Sequence, residues 1–383
     1  SIIYGLSDFA SRPLVSEGIT GYAGPFFGDG DSYGLEHGWI DPDTYMETVD
    51  YVGKWFTKAT EYLLLKQPWK VIFTYQVVVD NVQHEFLGQV TPGHPRYKEA
   101  DKAKYWEYIK RAYRHADDYV GVALKNVDSK TLVVIVSDHG FAPISKNVRI
   151  NTYLKEQGFQ VWEPGKLVVN FTATKAYYTR DCHVYINLKG RDYGGIVEPK
   201  DYNALVDQIV GALQNLTDPA TGSPVFNYVM RSYYMTNPDK LEAITIGADF
   251  IGFGGPASTF KSSRIGDIIV SIKLGYYWDR SISTEVFEDT PEFYTGSHGY
   301  QPNLREMGTT FIASGPGIRK LGLAKLIKPT RIIDVAPTVA YLLGVPFPSN
   351  AEGRIILEAL ETSAQEDVME LSQKLYESQT EIT

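Results

Sequence analysis

VVIVSDHGF, residues 133–141, is the stretch of sequence that decides the fold. A run of β-branched apolar residues, typical of a buried strand, ends abruptly at Ser137 and is followed by Asp138 and His139. Both side chains are strong metal ligands, and Gly140 lets the chain turn so that both can face one centre. Ligands of open parallel sheets bind beyond the carboxyl ends of the strands. The stretch therefore predicts an α/β fold with a metal site at the edge of a parallel sheet.

Two further apolar runs are typical of parallel strands covered by helices on both faces: VIFTYQVVVD (71–80) and TTFIASG (309–315). A helix of about five turns is predicted between the first of these runs and the strand at 131–138. Its apolar positions step by three and four residues: Trp106, Ile109, Tyr113, Ala116, Val120 and Ala123. Strand, helix and strand in this order predict a βαβ unit. A last helix is predicted from the N-cap Asp334 to Gly344.

The middle of the chain has a different pattern from its two ends. Short strand-like pieces and one amphipathic helix from Tyr202 to Leu213 indicate an inserted α+β cap. We therefore divide the chain into the first part of a core at 1–160, the inserted cap at 161–290, the last part of the core at 291–360 and a C-terminal tail at 361–383.

Composition limits the partners and the ligand types. The net charge of −9 argues against a general surface for nucleic acid or anionic membrane, so we expect no nucleic-acid polymer as a partner. No apolar run reaches the roughly 18 residues of a membrane span. Cys182 is the single cysteine of the chain, which excludes a cysteine-based metal cluster. Metal ligands must therefore come from His, Asp and Glu. The sequence leaves the cellular compartment open.

Two more groups of polar residues lie in settings that suit a metal ion. His84 follows Asp80 by four residues, close enough to face the same ion if the chain turns helically there. His298 lies between small residues in YTGSHGYQPN (294–303), which lets its imidazole come close to an ion or a phosphate. Each feature has an ordinary alternative, because Asp also caps helices and a His beside Gly also forms turns. No structural role requires all of them at once, which favours a metal-binding function for the set.

Four motifs, in this order and spacing, resemble the type I phosphodiesterase/nucleotide pyrophosphatase family of the alkaline phosphatase superfamily. They are DNVQH (80–84), SDHG (137–140), GSHGYQP (296–302) and DVAPTVAYLLGVPFPSNAEGR (334–354), and the resemblance extends from about 70 to 356. It implies an alkaline phosphatase-like α/β/α sandwich with a mainly parallel sheet, in which the cap is inserted between the SDHG and GSHG motifs.

The resemblance also implies a ligand set and a reaction. One divalent ion would be held by Asp80, His84 and His298, and another by Asp138 and His139 with two further ligands nearer the N-terminus. The implied function is hydrolysis of phosphodiester or nucleotide pyrophosphate bonds by two-metal in-line phosphoryl transfer through a covalent phospho-enzyme. We expect Zn²⁺, with Mn²⁺ or Fe²⁺ as alternatives, and a small phosphorylated substrate such as a nucleotide. Phosphonate hydrolysis and phosphomonoester hydrolysis stay open.

The sequence departs from the family pattern at the nucleophile. The family's first strand ends in Asp followed by Gly, and a nucleophilic Thr or Ser comes some tens of residues later. Asp8 and Thr44 are weak internal candidates for these two roles. We favour the alternative that residues 1–50 correspond to the segment after the nucleophile, which then lies upstream of Ser1. A second hypothesis follows: an incomplete or non-catalytic metal-binding module of the same fold.

Overall fold

The computed structural model describes residues 29–179, 182–232, 266–289, 294–322 and 330–361. The chain divides into two compact units. The first takes in the described residues up to Ala59, Phe73–Tyr119 and the described part of Phe141–Met307. The second takes in Thr60–Ile72, Val120–Gly140 and the described residues from Gly308 on. Of the predicted ligands, Asp80, His84 and His298 therefore belong to the first unit, and Asp138 and His139 to the second. The predicted borders of the cap stay a prediction.

Seven α-helices are found in the described residues. They are α1 (Ser32–Glu36), α2 (Pro42–Lys66), α3 (Val78–Val90), α4 (Lys102–Lys125), α5 (Ile150–Glu156), α6 (Tyr202–Gln214) and α7 (Val335–Leu342). The predicted long helix is confirmed as α4, but its buried face is rotated from the predicted stripe. Tyr108, Ile109 and Ala112 are buried, whereas Trp106 is 38% and Tyr113 54% exposed. The last helix begins directly after Asp334 and ends before Gly344, as predicted.

The strands of the described residues form three sheets. They are β1 (Val133–Val136), β2 (Ala142–Arg149), β3 (Ala176–Tyr178), β4 (His183–Ile186), β5 (Phe226–Arg231), β6 (Ile268–Ile272), β7 (Gly275–Asp279), β8 (Phe287–Asp289), β9 (Gly296–Ser297) and β10 (Phe311–Ser314). In the first unit, one sheet has the order β3-β4-β6-β5 and the other the order β7-β2-β8, with β9 also on β2. In the second unit, β1 pairs with β10.

The α/β class is confirmed, but a mainly parallel sheet is not found in the described residues. Only β2 and β7 run parallel there, and the other strand pairs are antiparallel. The predicted strands at 131–138 and 309–315 exist as β1 and β10, yet they pair with each other in an antiparallel register, Val133 opposite Ser314 and Val136 opposite Phe311. An apolar run indicates that a strand is buried but does not indicate its direction, so the prediction of parallel pairing was wrong here.

The predicted strand at 71–80 is wrong, because its second half belongs to α3. Val78, Val82, Phe86 and Val90 are all buried and follow one another at intervals of four residues, which is helical spacing. The valines that look like a strand in isolation are the first turn of this apolar stripe. No strand is assigned to 71–77, so the predicted βαβ unit is not formed in the described residues. Asp80 consequently lies in the first turn of a helix rather than at a strand end.

Two hydrophobic cores are found among the described residues of the first unit. One joins α1, α2, α3 and α4 through residues such as Tyr45, Val78 and Phe86. The other packs α6 against the sheet β3-β4-β6-β5, with Ile209 and Leu213 fully buried. Tyr178 and Phe226, aromatic residues of the predicted cap, are part of this second core. None of the helices in the described part of the chain is both long and apolar enough to cross a membrane.

Candidate metal centre

Helix α3 places Asp80 and His84 on one face. Residues four apart on a helix are neighbours, and Nε2 of His84 lies 3.5 Å from Oδ2 of Asp80. The Asp80 side chain is 23% exposed and that of His84 15% exposed, so both are partly shielded from water but reachable. The helical turn after Asp80 that the sequence required for a shared ion is therefore present.

His298 reaches the same place from a different element. It follows β9, which pairs with the start of β2 through Ser297 and Gly296. Nε2 of His298 lies 3.6 Å from Oδ1 of Asp80, and its side chain is 34% exposed. One ligand atom from each of Asp80, His84 and His298 can be chosen so that all three lie within 4.8 Å of one another. Residues more than two hundred positions apart thus form one half-buried cluster.

The hydrogen bonds of His84 leave its outer nitrogen suited to a metal ion. Nδ1 lies 2.8 Å from the carbonyl oxygen of Gly296, and a carbonyl can only accept, so Nδ1 carries the proton. Nε2, which faces Asp80, then holds a lone pair in the neutral ring. A metal-ligating histidine commonly donates its other N–H to a carbonyl in this way. Tyr294 stacks on the imidazole at a centroid distance of 4.9 Å, and Phe141 meets it edge-on at 4.7 Å.

The donor set fits zinc better than magnesium. Two imidazoles and one carboxylate are ligands that Zn²⁺ accepts, whereas Mg²⁺ prefers oxygen ligands alone. Catalytic zinc sites commonly use three protein ligands and keep a further position for water or substrate. The partial exposure of all three side chains is compatible with such an open position.

Glu85, the neighbour of His84, is almost fully buried. Burial raises the pKa of its carboxyl to about 8, and a hydrogen bond with Ser32 opposes this rise. At neutral pH the protonated carboxyl therefore predominates, which limits the negative charge that α3 contributes beside the cluster.

Asp138 and His139 follow β1 in the second unit, as the sequence predicted. The N–H of His139 donates to Oδ1 of Asp138 at 3.1 Å, and Nε2 of His139 lies 3.5 Å from Oδ2 of Asp138. Nδ1 of His139 faces the carbonyl oxygen of Gly140 at 3.0 Å, which again assigns the proton to Nδ1. Their role as ligands of a second ion stays a prediction.

Thr44 has a local structural setting. It lies exposed in the first turn of α2, and its backbone N–H donates to the side chain of Asp41 at 2.8 Å. This contact is a helix-start interaction, and the role of Thr44 as a nucleophile stays a prediction. Asp8, its suggested companion, lies outside the described residues.

The sequence predicts His298 of YTGSHGYQPN as a ligand but does not predict the contacts of its neighbours with His84. Tyr294 and Gly296 both contact the ring of His84. Gly296 has to be glycine for α3 and β9 to lie this close, because a Cβ there would be 2.4 Å from the carbonyl oxygen of Gln83. A glycine inside a strand pattern signals close approach of another backbone, and this signal was available in the sequence.

Comparisons with known proteins agree with the motifs. The family model described as type I phosphodiesterase/nucleotide pyrophosphatase matches residues 22–301. This match covers more than half of the 383 residues, so the chain belongs to that family. A search of curated proteins gave no match.

Solved structures similar to this chain include human ectonucleotide pyrophosphatase/phosphodiesterase 5, at 17% identity and a TM-score of 0.42 over 79% of this chain. The murine ectonucleotide pyrophosphatase/phosphodiesterase 5 is similar at 16% identity and a TM-score of 0.43 over 82% of this chain. The chain spans 61% of the human protein's chain and 62% of the murine one.

Proposed function

We propose that this chain is a zinc-dependent hydrolase of phosphodiester or nucleotide pyrophosphate bonds, with one ion held by Asp80, His84 and His298. The observation that carries the proposal is the approach of one ligand atom from each of these residues to within 4.8 Å of the others. The family to which the chain belongs supports the reaction class. Bound zinc would supply Lewis-acid stabilisation of the charge that develops on a phosphoryl oxygen.

The protein's own groups have defined parts in this proposal. His84 presents Nε2 because Nδ1–H is bonded to Gly296, and Asp80 supplies the one negative charge among the three ligands. Asp138 and His139 are included as ligands of a second divalent ion, since the Nδ1 contact of His139 with Gly140 also leaves its Nε2 with a lone pair. The substrate is a small phosphorylated molecule, with nucleotides as the first candidates. The nucleophile is a Thr or Ser, for which Thr44 is the internal candidate.

The second candidate function is a metal-binding module without hydrolytic activity. The setting of Thr44 favours it, because this residue sits in a helix-start interaction that needs no catalytic role. The two functions share the zinc site and differ in turnover, so metal binding and hydrolysis have to be measured on the same preparation.

The test uses protein stripped with a chelator and reloaded with Zn²⁺. Zinc binding is measured by calorimetry, and hydrolysis is measured with bis-p-nitrophenyl phosphate. We expect His298→Ala to lose both zinc binding and hydrolysis. His37→Ala is the matched control, since His37 is an exposed histidine of the same unit that contacts the carbonyl of Tyr33.

Three outcomes distinguish the hydrolase from the metal-binding module. Hydrolysis that requires zinc and His298 but not His37 supports the enzyme. Zinc binding through His298 without hydrolysis supports the metal-binding module. Absence of zinc binding contradicts both. Loss of hydrolysis with retained zinc in Thr44→Ala would assign the nucleophile to Thr44.

A further inference from the structure

Thr295, which lies immediately before β9, binds one turn of α3 through both its backbone and its side chain. It is fully buried, and its N–H donates to the carbonyl oxygen of His84 at 2.6 Å. Its Oγ1 accepts from the N–H of Gly88 at 2.9 Å. The same hydroxyl lies 3.0 Å from the carbonyl oxygen of Glu85 and 2.8 Å from Oε1 of Gln89, and its single proton serves one of these acceptors at a time.

The residues on each side of Thr295 contact the ring of His84 directly. Tyr294 stacks on the imidazole with an interplanar angle of 8°, and Gly296 accepts the Nδ1 proton. Three consecutive residues therefore fix the backbone and the ring of one predicted ligand. Two positions further along the chain from Gly296 is His298, the ligand that comes from outside α3.

The position of the Thr295 hydroxyl bears on where His298 lies relative to Asp80 and His84. Asp80 and His84 are fixed relative to each other by α3, whereas the place of His298 depends on how β9 lies against this helix. The backbone of β9 approaches α3 as closely as glycine allows at Gly296. The side-chain bonds of Thr295 to Gly88 and to Glu85 or Gln89 hold this approach together with the bonds that Thr295 N–H and the Gly296 carbonyl make with His84.

We propose that Thr295 is a positioning residue of the metal centre, whose hydroxyl sets the place of His298 relative to Asp80 and His84. Thr295 is not one of the three proposed ligands, and it acts through α3 and β9. This inference rests on the proposed function, because it assumes that Asp80, His84 and His298 hold zinc. Outer partners of metal ligands typically change metal affinity by about 10–100-fold when they are removed.

The test compares Thr295→Val with Thr295→Ser. Valine keeps the shape of threonine but removes the oxygen that accepts from the N–H of Gly88 and the proton that reaches Glu85 or Gln89, whereas serine restores the hydroxyl. Zinc affinity is measured by calorimetry on stripped protein, at a temperature at which every variant is fully folded by circular dichroism. We expect Thr295→Val to weaken zinc binding by about 10–100-fold and Thr295→Ser to bind zinc within about threefold of the natural chain.

Thr152→Val is the matched control for a purely structural effect. Thr152 is also buried in the first unit, and its hydroxyl exchanges hydrogen bonds with the backbone of Ser283 at 3.2 Å. The control should lower the melting temperature without changing zinc affinity. If Thr295→Val does not fold, Thr295→Ala takes its place, since the smaller side chain leaves room for a water to reach the N–H of Gly88.

The outcomes distinguish this inference from the proposed function. If the natural chain binds no zinc, the proposed function fails and the positioning role fails with it. If the natural chain binds zinc and Thr295→Val, or Thr295→Ala in its place, binds it equally well, the positioning role is overturned while the proposed function stands. Weakened binding in Thr152→Val to the same degree would also overturn it, because loss of stability alone would then explain the effect.

Discussion

At the scale of single residues, backbone groups assign the ring protons of two histidines of the first unit, His84 and His94. His84 donates Nδ1–H to Gly296 and keeps Nε2 for the cluster. His94 shows the opposite arrangement: Nε2 donates to the carbonyl of Ile144 at 2.6 Å, and Nδ1 accepts the N–H of Arg96 at 3.0 Å. Both ring nitrogens of His94 are thus engaged in its neutral form, so neither offers a lone pair to a metal ion.

The neutral state of His94 leads to a pH prediction. Burial lowers the pKa of His94 in the folded protein, so this ring stays neutral in the folded state where it protonates in the unfolded chain. Its contribution to stability should be present above the unfolded pKa of about 6.5 and be lost as the pH falls below it. Urea unfolding from pH 8 to 5 should show His94→Gln losing less stability over this range than the natural chain. If the free energy of unfolding changed equally with pH in the natural chain and in His94→Gln, the assignment of a neutral ring to His94 would be contradicted.

At the scale of secondary-structure elements, the contact of α3 with β9 brings His298 close to Asp80 and His84. Gly296→Ala would place a Cβ 2.4 Å from the carbonyl oxygen of Gln83, and this contact is with backbone that cannot move aside easily. We expect a loss of about 1–3 kcal/mol in the free energy of unfolding, as for overpacked interiors. Zinc affinity should fall as well, because β9 has to move away from α3.

Gly211→Ala is the matched control for this substitution. Gly211 lies in α6, and a Cβ there meets nothing within 4 Å. Alanine in a helix should raise the free energy of unfolding by about 0.5–1 kcal/mol. Urea unfolding should show a lower free energy of unfolding for Gly296→Ala and a higher one for Gly211→Ala than for the natural chain. A Gly296→Ala variant as stable as the natural chain would show that the close approach is not required.

The sheet of the first unit that carries β4 and β6 has a buried carboxylate, Asp267, beside it, which pairs with the half-buried Arg191. Asp267 has no exposed side-chain surface and accepts from Arg191 Nη1 at 2.7 Å, from Tyr202 Oη at 2.7 Å and from the N–H of Ile186 at 2.6 Å. Asp267→Asn would remove the carboxylate charge from these hydrogen bonds, while Arg191 would keep its second partner Asp192, and we expect a loss of about 1.5–3 kcal/mol in urea unfolding. The exposed pair of Lys189 and Glu198 is the comparison, where Lys189→Met should cost less than about 1 kcal/mol. Equal losses of stability in Asp267→Asn and Lys189→Met would contradict a larger contribution of the buried Asp267.

The sequence predicted the elements of the two units unevenly. The helix α4 and the end of α7 ahead of Gly344 were predictable because periodicity and caps are local signals. Asp80 was assigned to a strand end because VVVD is locally indistinguishable from a strand, whereas the stripe through Val82 and Phe86 makes it helical. The roles of Tyr294 and Thr295 could not be derived, since they depend on how β9 meets α3, a contact between segments about two hundred residues apart.

At the scale of the whole molecule, the proposed metal ions would act within an acidic protein. The chain carries a net charge of −9, and bound divalent cations would reverse the local field at the site that receives an anionic substrate. The ligands are also divided between the two compact units, with Asp80, His84 and His298 in one and Asp138 and His139 in the other. Metal binding to the folded chain should raise its free energy of unfolding.

Zinc should stabilise the folded protein by mass action. A single site with free Zn²⁺ at 100 times its dissociation constant adds about 2.7 kcal/mol to the free energy of unfolding. We expect the melting temperature of stripped protein to rise on addition of Zn²⁺ and to fall again with a chelator, as measured by scanning calorimetry. His84→Ala should lose the rise that belongs to the first unit's site, whereas His37→Ala should keep it. An identical rise in all three proteins would place the bound zinc elsewhere.

The most direct test of the central claim is anomalous diffraction at the zinc edge from crystals of the zinc-loaded chain. The account predicts a peak bonded to Nε2 of His84, Nε2 of His298 and the carboxylate of Asp80, at the roughly 2.0–2.2 Å typical of zinc with these ligands. A map with no peak among these three side chains at saturating Zn²⁺ would contradict it.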